Sequence, residues 1–230
     1  MARNDIKEAR KDNIIKSALK VFAEKGFADA TMTDIAKKAG VSTPALYEYF
    51  KTKEDLLFAI PGKFMEEPIR HMEYVAPYLR GVEAKIRGIV QGYLTLYDNN
   101  PLYASLVMLE LKTSRKFLKA NAYGMVRKIA GGLTQVIEEG IKDGTFREDT
   151  DAFLIRSMIL GTIEHLCIRK LLQGEPKNLA QYTDAIVDTI LNSIKKESKH
   201  YSISLNINDL IEQRIEAEKK EFPESKRKKR

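Results

Sequence analysis

The chain is predicted to be all-α, on three observations. Apolar residues recur at three- and four-residue steps along most of its 230 residues. Strand-type alternation appears only in the short stretch "YSISLNI" at 201–207. The gaps between periodic segments hold turn and helix-stop residues, as in "EKGF", "DNNP", "KDGTF" and "GEPKN".

The first helix is expected over 6–25, where Ile14, Ile15, Ala18, Leu19 and Phe22 share a face and Lys and Glu fill the other. Gly26 is placed to end it. A brief helix follows in "DIAKKAG", with Thr33 as its N-cap and Gly40 as its stop. The third helix opens at Thr43-Pro44, since a proline in the first turn gives up an N–H that has no intrahelical partner. Thr52 and Asp55 have capping-box spacing before "LLFAI", so a fourth helix begins at Lys53. Pro61-Gly62 is expected to stop or kink it. Further helices are expected at about 63–75, 79–98, 101–112, 118–142, 151–173 and 178–197. The segment 206–230 has a thin apolar stripe of Leu210, Ile211 and Ile215, then "PESKRKKR", which reads as disordered. Three parts result: a head over 1–57, a helical body over 58–200 and a charged extension over 201–230.

A hydrophobic share of 43% can build a real core. The net charge of +7 suits a chain that meets a polyanion, but it is spread out. Residues 1–57 hold eleven Lys/Arg against nine Asp/Glu, so a nucleic-acid surface must come from placement and not from bulk charge. The lone Cys167 excludes an intrachain disulfide and a cysteine metal cluster, and fits a reducing cytoplasm. The N-terminus lacks the apolar run of a secretory signal. No apolar run approaches the ~20 residues of a membrane helix. A cytoplasmic protein with no membrane partner is expected.

A long helix, a short helix, a tight glycine turn and a second short helix make a helix-turn-helix order. At about 100° per residue, Leu46 and Phe50 share a face that Ile35, Ala36, Ala39 and Val41 can cover. Thr43, Pro44, Tyr47, Glu48 and Lys51 fall opposite. That outer face suits DNA: a hydroxyl from Thr43, close approach at Pro44 and Ala45, and a phosphate contact from Tyr47. Lys53, at a helix start, forms an anion site with the helix's positive end, and Thr33 offers a second. An ordinary three-helix core explains the apolar spacing equally well.

The segment "ATMTDIAKKAGVSTPALYEYFKTKEDLL" resembles the DNA-binding signature of the tetracycline-repressor (TetR) family of bacterial transcription regulators. The shared positions are Phe22, Gly26, Phe27, Thr33, Ile35, Ala36, Ala39, Gly40, Val41, Ser42, Leu46, Tyr47, Phe50, Lys53 and Leu56. They cover about a quarter of the chain. The resemblance implies some nine helices, a three-helix DNA-binding head, and a body that binds a small effector and forms a homodimer. It implies a palindromic double-stranded DNA operator, released when the effector binds. Its DNA-contacting positions fall on Thr33, Thr43, Pro44, Ala45, Tyr47, Tyr49 and Lys53. Position 44 is often Gly in that family and position 49 often His. Here they are Pro and Tyr, and the wheel turns Tyr49 toward the core. Pro61-Gly62 is a third departure, in the helix that carries the ligand signal.

For the ligand, "YLTLYDNNPLYASLVMLELKTSRKF" gathers Tyr93, Tyr97, Tyr103, Leu106, Met108 and Leu109. Such a stretch can line a pocket for a flexible apolar molecule, or serve as plain core. "VMLELKTSRKF" also resembles TetR-type regulators of fatty-acid degradation, which implies a long-chain acyl-CoA as effector. Arg115, Lys116 and Arg127 then become partners for CoA phosphates. His165, with Glu164 and Arg169 near Cys167, is a further pocket candidate. Ile163, Leu166, Ile168, Leu171, Ile186, Ile190 and Leu191 either pack within one protomer or form a dimer pair, with Gly161 allowing close approach, and the resemblance implies the dimer.

No catalytic residue, metal or cofactor is expected. Glu67 and His71 share a helical face, but two ligands do not hold a metal. No phosphate loop, dinucleotide fingerprint or G-x-S-x-G occurs. A helical lipid carrier or enzyme with a non-functional DNA-binding head, or a structural oligomer, remains the alternative. The end "KRKKR" adds at most salt-sensitive attraction to DNA.

Overall fold

The computed structural model describes residues 2–112, 114–119 and 123–196. The stretch at 201–207 and the segment 206–230 lie outside the described residues. Ten α-helices account for most of the described residues, and no strand forms among them. One isolated bridge pairs Phe146 with Lys195.

Helix α1 spans Ala2–Asp29, and its expected apolar set is wholly buried. It bends at Gly26, whose φ of 77° and ψ of 159° lie in a region that only glycine enters easily. Helix α2 is Met32–Ala39 and α3 is Thr43–Tyr49. Gly40 sits between them in the left-handed region at φ 68°. Ile35, Ala36 and Ala39 of α2 and Leu46 of α3 close over Ile14, Ala18 and Phe22 of α1.

Thr31, not Thr33, caps α2. Its hydroxyl accepts from Asp34 N at 3.1 Å, and its own N–H donates to the Asp34 carboxylate at 3.1 Å. The sequence "TMTD" offers two threonines, and only Thr31 stands three residues before the carboxylate that completes the box.

Helix α4 runs unbroken over Lys53–Val75, with Pro61 and Pro68 inside it. Of the stop or kink expected at Pro61-Gly62, the stop is therefore corrected. A proline's φ is already helical, so Pro61 costs one backbone hydrogen bond and steric adjustment, and its buried ring packs in the core. The Thr52–Asp55 capping box opens α4 as expected, with both arms formed at 3.0 and 2.9 Å. Residues up to Lys196 form one compact unit, and α4 carries the chain from the head into the body.

In the body, α5 (Gly81–Asn99) lies at the centre, touching α4, α6, α8, α9 and α10. Helix α6 (Pro101–Ser105) continues into a π-helical segment, Leu106–Leu111, and not into the plain helix expected to 112. The wider winding buries Leu106, Val107, Met108 and Leu111 together. On the expected helix over 118–142 fall the end of α7 (Arg115–Lys119) and α8 (Tyr123–Lys142), with 120–122 outside the described residues. Helices α9 (Ala152–Gln173) and α10 (Thr183–Ile194) close the body. The Asp98 carboxylate of α5 accepts from Leu179 N at 2.7 Å and Ala180 N at 3.1 Å and pairs with Lys170, tying the α9–α10 connection to the centre.

Candidate functional site

Two places have the makings of a site: the outer face of α3 and a cavity in the body. On α3 the Ser42 hydroxyl accepts from Ala45 N at 3.3 Å and sets the helix start. Val41 N donates to Ala36 O at 3.0 Å and tightens the turn. Leu46 is fully buried and Phe50 nearly so, which fixes the roll of the helix. Pro44, Tyr47 and Glu48 then face outward, with Thr43 and Ala45 half-buried beside them. Tyr47 is 42% exposed. The Lys51 ammonium donates to the Tyr47 carbonyl at 2.9 Å, closing the end of the helix. This leaves the Tyr47 ring out in solvent at the centre of a small polar face.

Tyr49 is half-buried and packs against the core. Two residues from Tyr47 is about 200° of turn, so the two rings cannot share a face. This agrees with the turn toward the core that the helical wheel gives it. Thr33 is exposed on the first turn of α2, free of capping duty.

Lys53 is engaged within the head. Its ammonium donates to the carbonyls of Ala28 at 2.8 Å and Ala30 at 2.9 Å, and lies 4.7 Å from the centre of the Phe27 ring. Glu54 and Asp55 occupy the first turn of α4 and already answer its positive end. Lys53 is thus first a strut that ties the end of α1 to α4, with one donor left over. Lys37 and Lys51, exposed and without an ion pair among the described residues, carry the more available charge. Lys37 was not singled out from the sequence, because Lys37 and Lys38 look alike until Lys38 is seen paired to Glu24 at 2.7 Å.

The body holds a partly open cavity of about 640 Å³. Helix α4 supplies Pro61 and Met65, α5 Tyr93 and Tyr97, α6 Tyr103, and the π segment Val107. Phe117 of α7, Arg127 and Ala130 of α8, and Arg156, Leu160 and Glu164 of α9 complete the wall. The size lies within the usual range for small-molecule sites. Tyr93, Tyr97, Tyr103 and Arg127 are therefore brought together as expected. Met108, Leu109 and His165 are not. Met108 is buried in packing away from the cavity, Leu109 is 41% exposed, and His165 flanks a shallow surface hollow with Arg169 and Leu172. Arg115 and Lys116 are exposed and also absent from the wall.

The His165–Glu164–Arg169–Cys167 grouping is divided by helix geometry. Glu164 reaches the cavity and Cys167 is buried, while His165 and Arg169 point out. Burial pushes the Cys167 thiol up to about 11, so it stays protonated. Lys112 and Arg156 are wall residues that the sequence reading missed. Lys112 forms an ion pair with Glu164, and Arg156 stacks 4.7 Å from the Phe153 ring and donates to the Thr134 hydroxyl at 3.4 Å. Each helix face was legible, but nothing in the sequence says which faces surround a void.

The expected dimer residues are largely used up within the protomer. Ile163, Ile186, Ile190 and Leu191 are buried, and Leu166, Ile168 and Leu171 are half-buried against the core. The outward stripe of α9 is instead Leu154, Met158, Gly161, His165 and Leu172. Among the described residues no helix is long and apolar enough to cross a membrane.

With this geometry in view, similarity to known proteins is informative. Residues 14–60 match the family described as bacterial regulatory proteins, tetR family, and residues 62–193 match the YsiA-like protein, C-terminal region. The chain is 27% identical over 181 residues to the fatty acid metabolism regulator protein of Bacillus subtilis, covering 79% of this chain and 93% of that one. It is 22% identical over 187 residues to the HTH-type transcriptional repressor KstR2 of Mycolicibacterium smegmatis, covering 81% and 91%. Its fold aligns with the crystal structure of the transcriptional regulator FadR from Bacillus subtilis in complex with stearoyl-CoA. That alignment has a TM-score of 0.68 at 25% identity and covers 82% of this chain and 98% of that one.

Proposed function

The chain belongs to the TetR family of bacterial regulatory proteins, and from that premise we propose that it is a ligand-responsive transcriptional repressor. It binds a palindromic operator as a homodimer and lets go when a long-chain acyl-CoA fills the body cavity. The α3 face, with Tyr47, Thr43 and Pro44, meets the major groove, and Thr33, Lys37 and Lys51 meet backbone phosphates. Two copies join through the outward stripe of α9, which sets the spacing of their heads.

The observation that carries the coupling is the double duty of α4. Pro61 and Met65 stand one turn apart on the cavity wall. Lys63, between them and facing the other way, pairs with Asp12 of α1 at 2.5 Å. A ligand that presses on Pro61 and Met65 therefore displaces the same turn that grips the head. By linkage, an effector that prefers the shifted state weakens operator binding by the factor by which operator weakens effector binding. The acyl chain suits the apolar part of the cavity. Arg127, Arg156 and Lys112 suit the phosphates of the nucleotide portion. The Bacillus subtilis regulator bound to stearoyl-CoA supports this choice of effector.

The test is operator binding by fluorescence anisotropy on fragments of the gene's own upstream region, titrated with stearoyl-CoA. Tight binding to a palindrome and its loss on adding the thioester are expected. A protein that binds acyl-CoA but no DNA would support a lipid carrier instead.

A further inference from the structure

The cavity is not a plain hydrocarbon slot. Tyr93, Tyr97 and Tyr103 form a ladder along one wall, with ring centres 6.3 and 6.2 Å apart, and Tyr103 stacks on Phe64 at 4.8 Å. Tyr97 and Tyr103 are only 7% and 3% exposed. None of the three hydroxyls has a hydrogen-bond partner among the described residues. Nor is any of them sealed in packing, since the sealed, partnerless side-chain atoms among the described residues belong to Arg147 and Thr150. All three residues line the cavity.

A phenylalanine would fill the same volume, and the structure uses phenylalanine nearby, at Phe64 and Phe117. A saturated chain that filled the cavity would strand three donors, and stranding a buried donor is costly. The thioester carbonyl can answer part of this, and its natural place is beside Tyr93. Glu164 and Arg156 line the same cavity and both act on Tyr93, the least buried of the three, while Glu164 acts on Tyr97 as well. Burial raises all three phenols above their ordinary value, so they remain protonated donors near neutrality. One carbonyl has two lone pairs and cannot satisfy three donors, and Tyr97 and Tyr103 are the two held deepest in the protein.

We propose that the effector's acyl chain bears an oxygen substituent, a hydroxyl or an oxo group, received by the hydroxyls of Tyr97 and Tyr103. This inference rests on the acyl-thioester reading above and narrows it. An oxygenated chain pairs the donors as it excludes water, while a saturated chain of equal length does not. A site built to hydrogen-bond a ligand oxygen rejects the analogue that lacks it.

The experiment measures affinity by calorimetry, and the concentration needed to release operator, for stearoyl-CoA and for a set of hydroxy- and oxo-stearoyl-CoA positional isomers. At least one oxygenated thioester is expected to bind roughly tenfold more tightly than stearoyl-CoA. Tyr97→Phe and Tyr103→Phe, with folding checked by thermal melting, are expected to narrow that gap, weakening the oxygenated ligand and tightening the saturated one. Equal affinities across the set, or Phe variants that weaken both classes alike, would overturn the inference and leave the acyl-thioester reading standing. If no thioester of either class binds, that reading falls and this inference falls with it.

Discussion

Lys63 of α4 holds Asp12 of α1 at 2.5 Å, and Glu66 joins the same ammonium at 2.6 Å. Burial alone would lower the lysine's pKa, but the two carboxylates outweigh it and the pKa is raised. The contact stands between the cavity wall at Pro61 and Met65 and the first helix of the head. Lys63→Met should cost about 1 kcal/mol or less of stability, since the pair is only partly buried. It should change the effector-driven loss of operator affinity by ~0.5–2 kcal/mol. Anisotropy titrations with and without acyl-CoA read this directly, and an unchanged ratio would remove Lys63 from the coupling route.

Leu46 and Tyr47 are adjacent, yet one is fully buried and the other 42% exposed. Tyr47→Ala should weaken operator binding by ~1–3 kcal/mol and leave the melting temperature in place. Leu46→Ala should destabilise the fold by ~2–5 kcal/mol, because it empties the anchor of α3. Normal operator binding by the Tyr47 variant would mean that another face reads the DNA.

Asp34 has its pKa held down to about 2 by hydrogen bonds from Lys25 and then Thr31. A depressed carboxylate pKa stabilises the fold above the unfolded value of 3.8, and the contribution is lost as pH falls through about 2. Melting curves from neutral pH down to that range should show the wild type losing more stability than Asp34→Asn. Parallel curves would show that the charge on Asp34 contributes nothing.

Gly140 faces Phe146 so closely that a Cβ there would lie 2.4 Å from the ring. Phe146 is fully buried, and its N–H donates to the Gly140 carbonyl at 2.8 Å, so the ring cannot swing away. Gly140→Ala should cost ~1–3 kcal/mol or more through overpacking. Chemical denaturation measures it, and a neutral result would mean that the α8 end is more yielding than this contact implies.

The outward stripe of α9 includes Leu154 at 53%, Met158 at 46% and Leu172 at 68% exposure. If this stripe joins two copies, Met158→Asp should give a folded monomer by sedimentation. The same variant should lose most operator affinity, because a palindrome is held by two heads at once. A dimer that survives the change would place the interface elsewhere.

Much of the fold was legible because helices announce themselves locally. The Ile14–Phe22 spacing, the Thr52–Asp55 box and the glycine at 40 each act within a few residues, and each formed as read. The misreadings came where a local rule met a tertiary demand. Pro61 stays helical because its ring is buried where α4 meets the body, and Thr31 outcompetes Thr33 because Asp34 stands at the right distance from only one of them. Lys53 was legible as a cation at a helix start, but the carbonyls of Ala28 and Ala30 lie more than twenty residues away in sequence.

The sequence by itself determined the all-helical class, the helix-turn-helix order and the opposition of Leu46 to Tyr47. These depend on periodicity and capping, which act over one or two turns. Only the tertiary structure decided which residues meet across space. It sent Met108 into packing and His165 to the surface, drew Lys112 and Arg156 into the wall, and gave most of the expected dimer face to the protomer's own core. An amphipathic pattern records that a face is buried, but not whether it is buried by a neighbouring helix, a second copy or a ligand. That depends on how several helices pack, and no single helix encodes it.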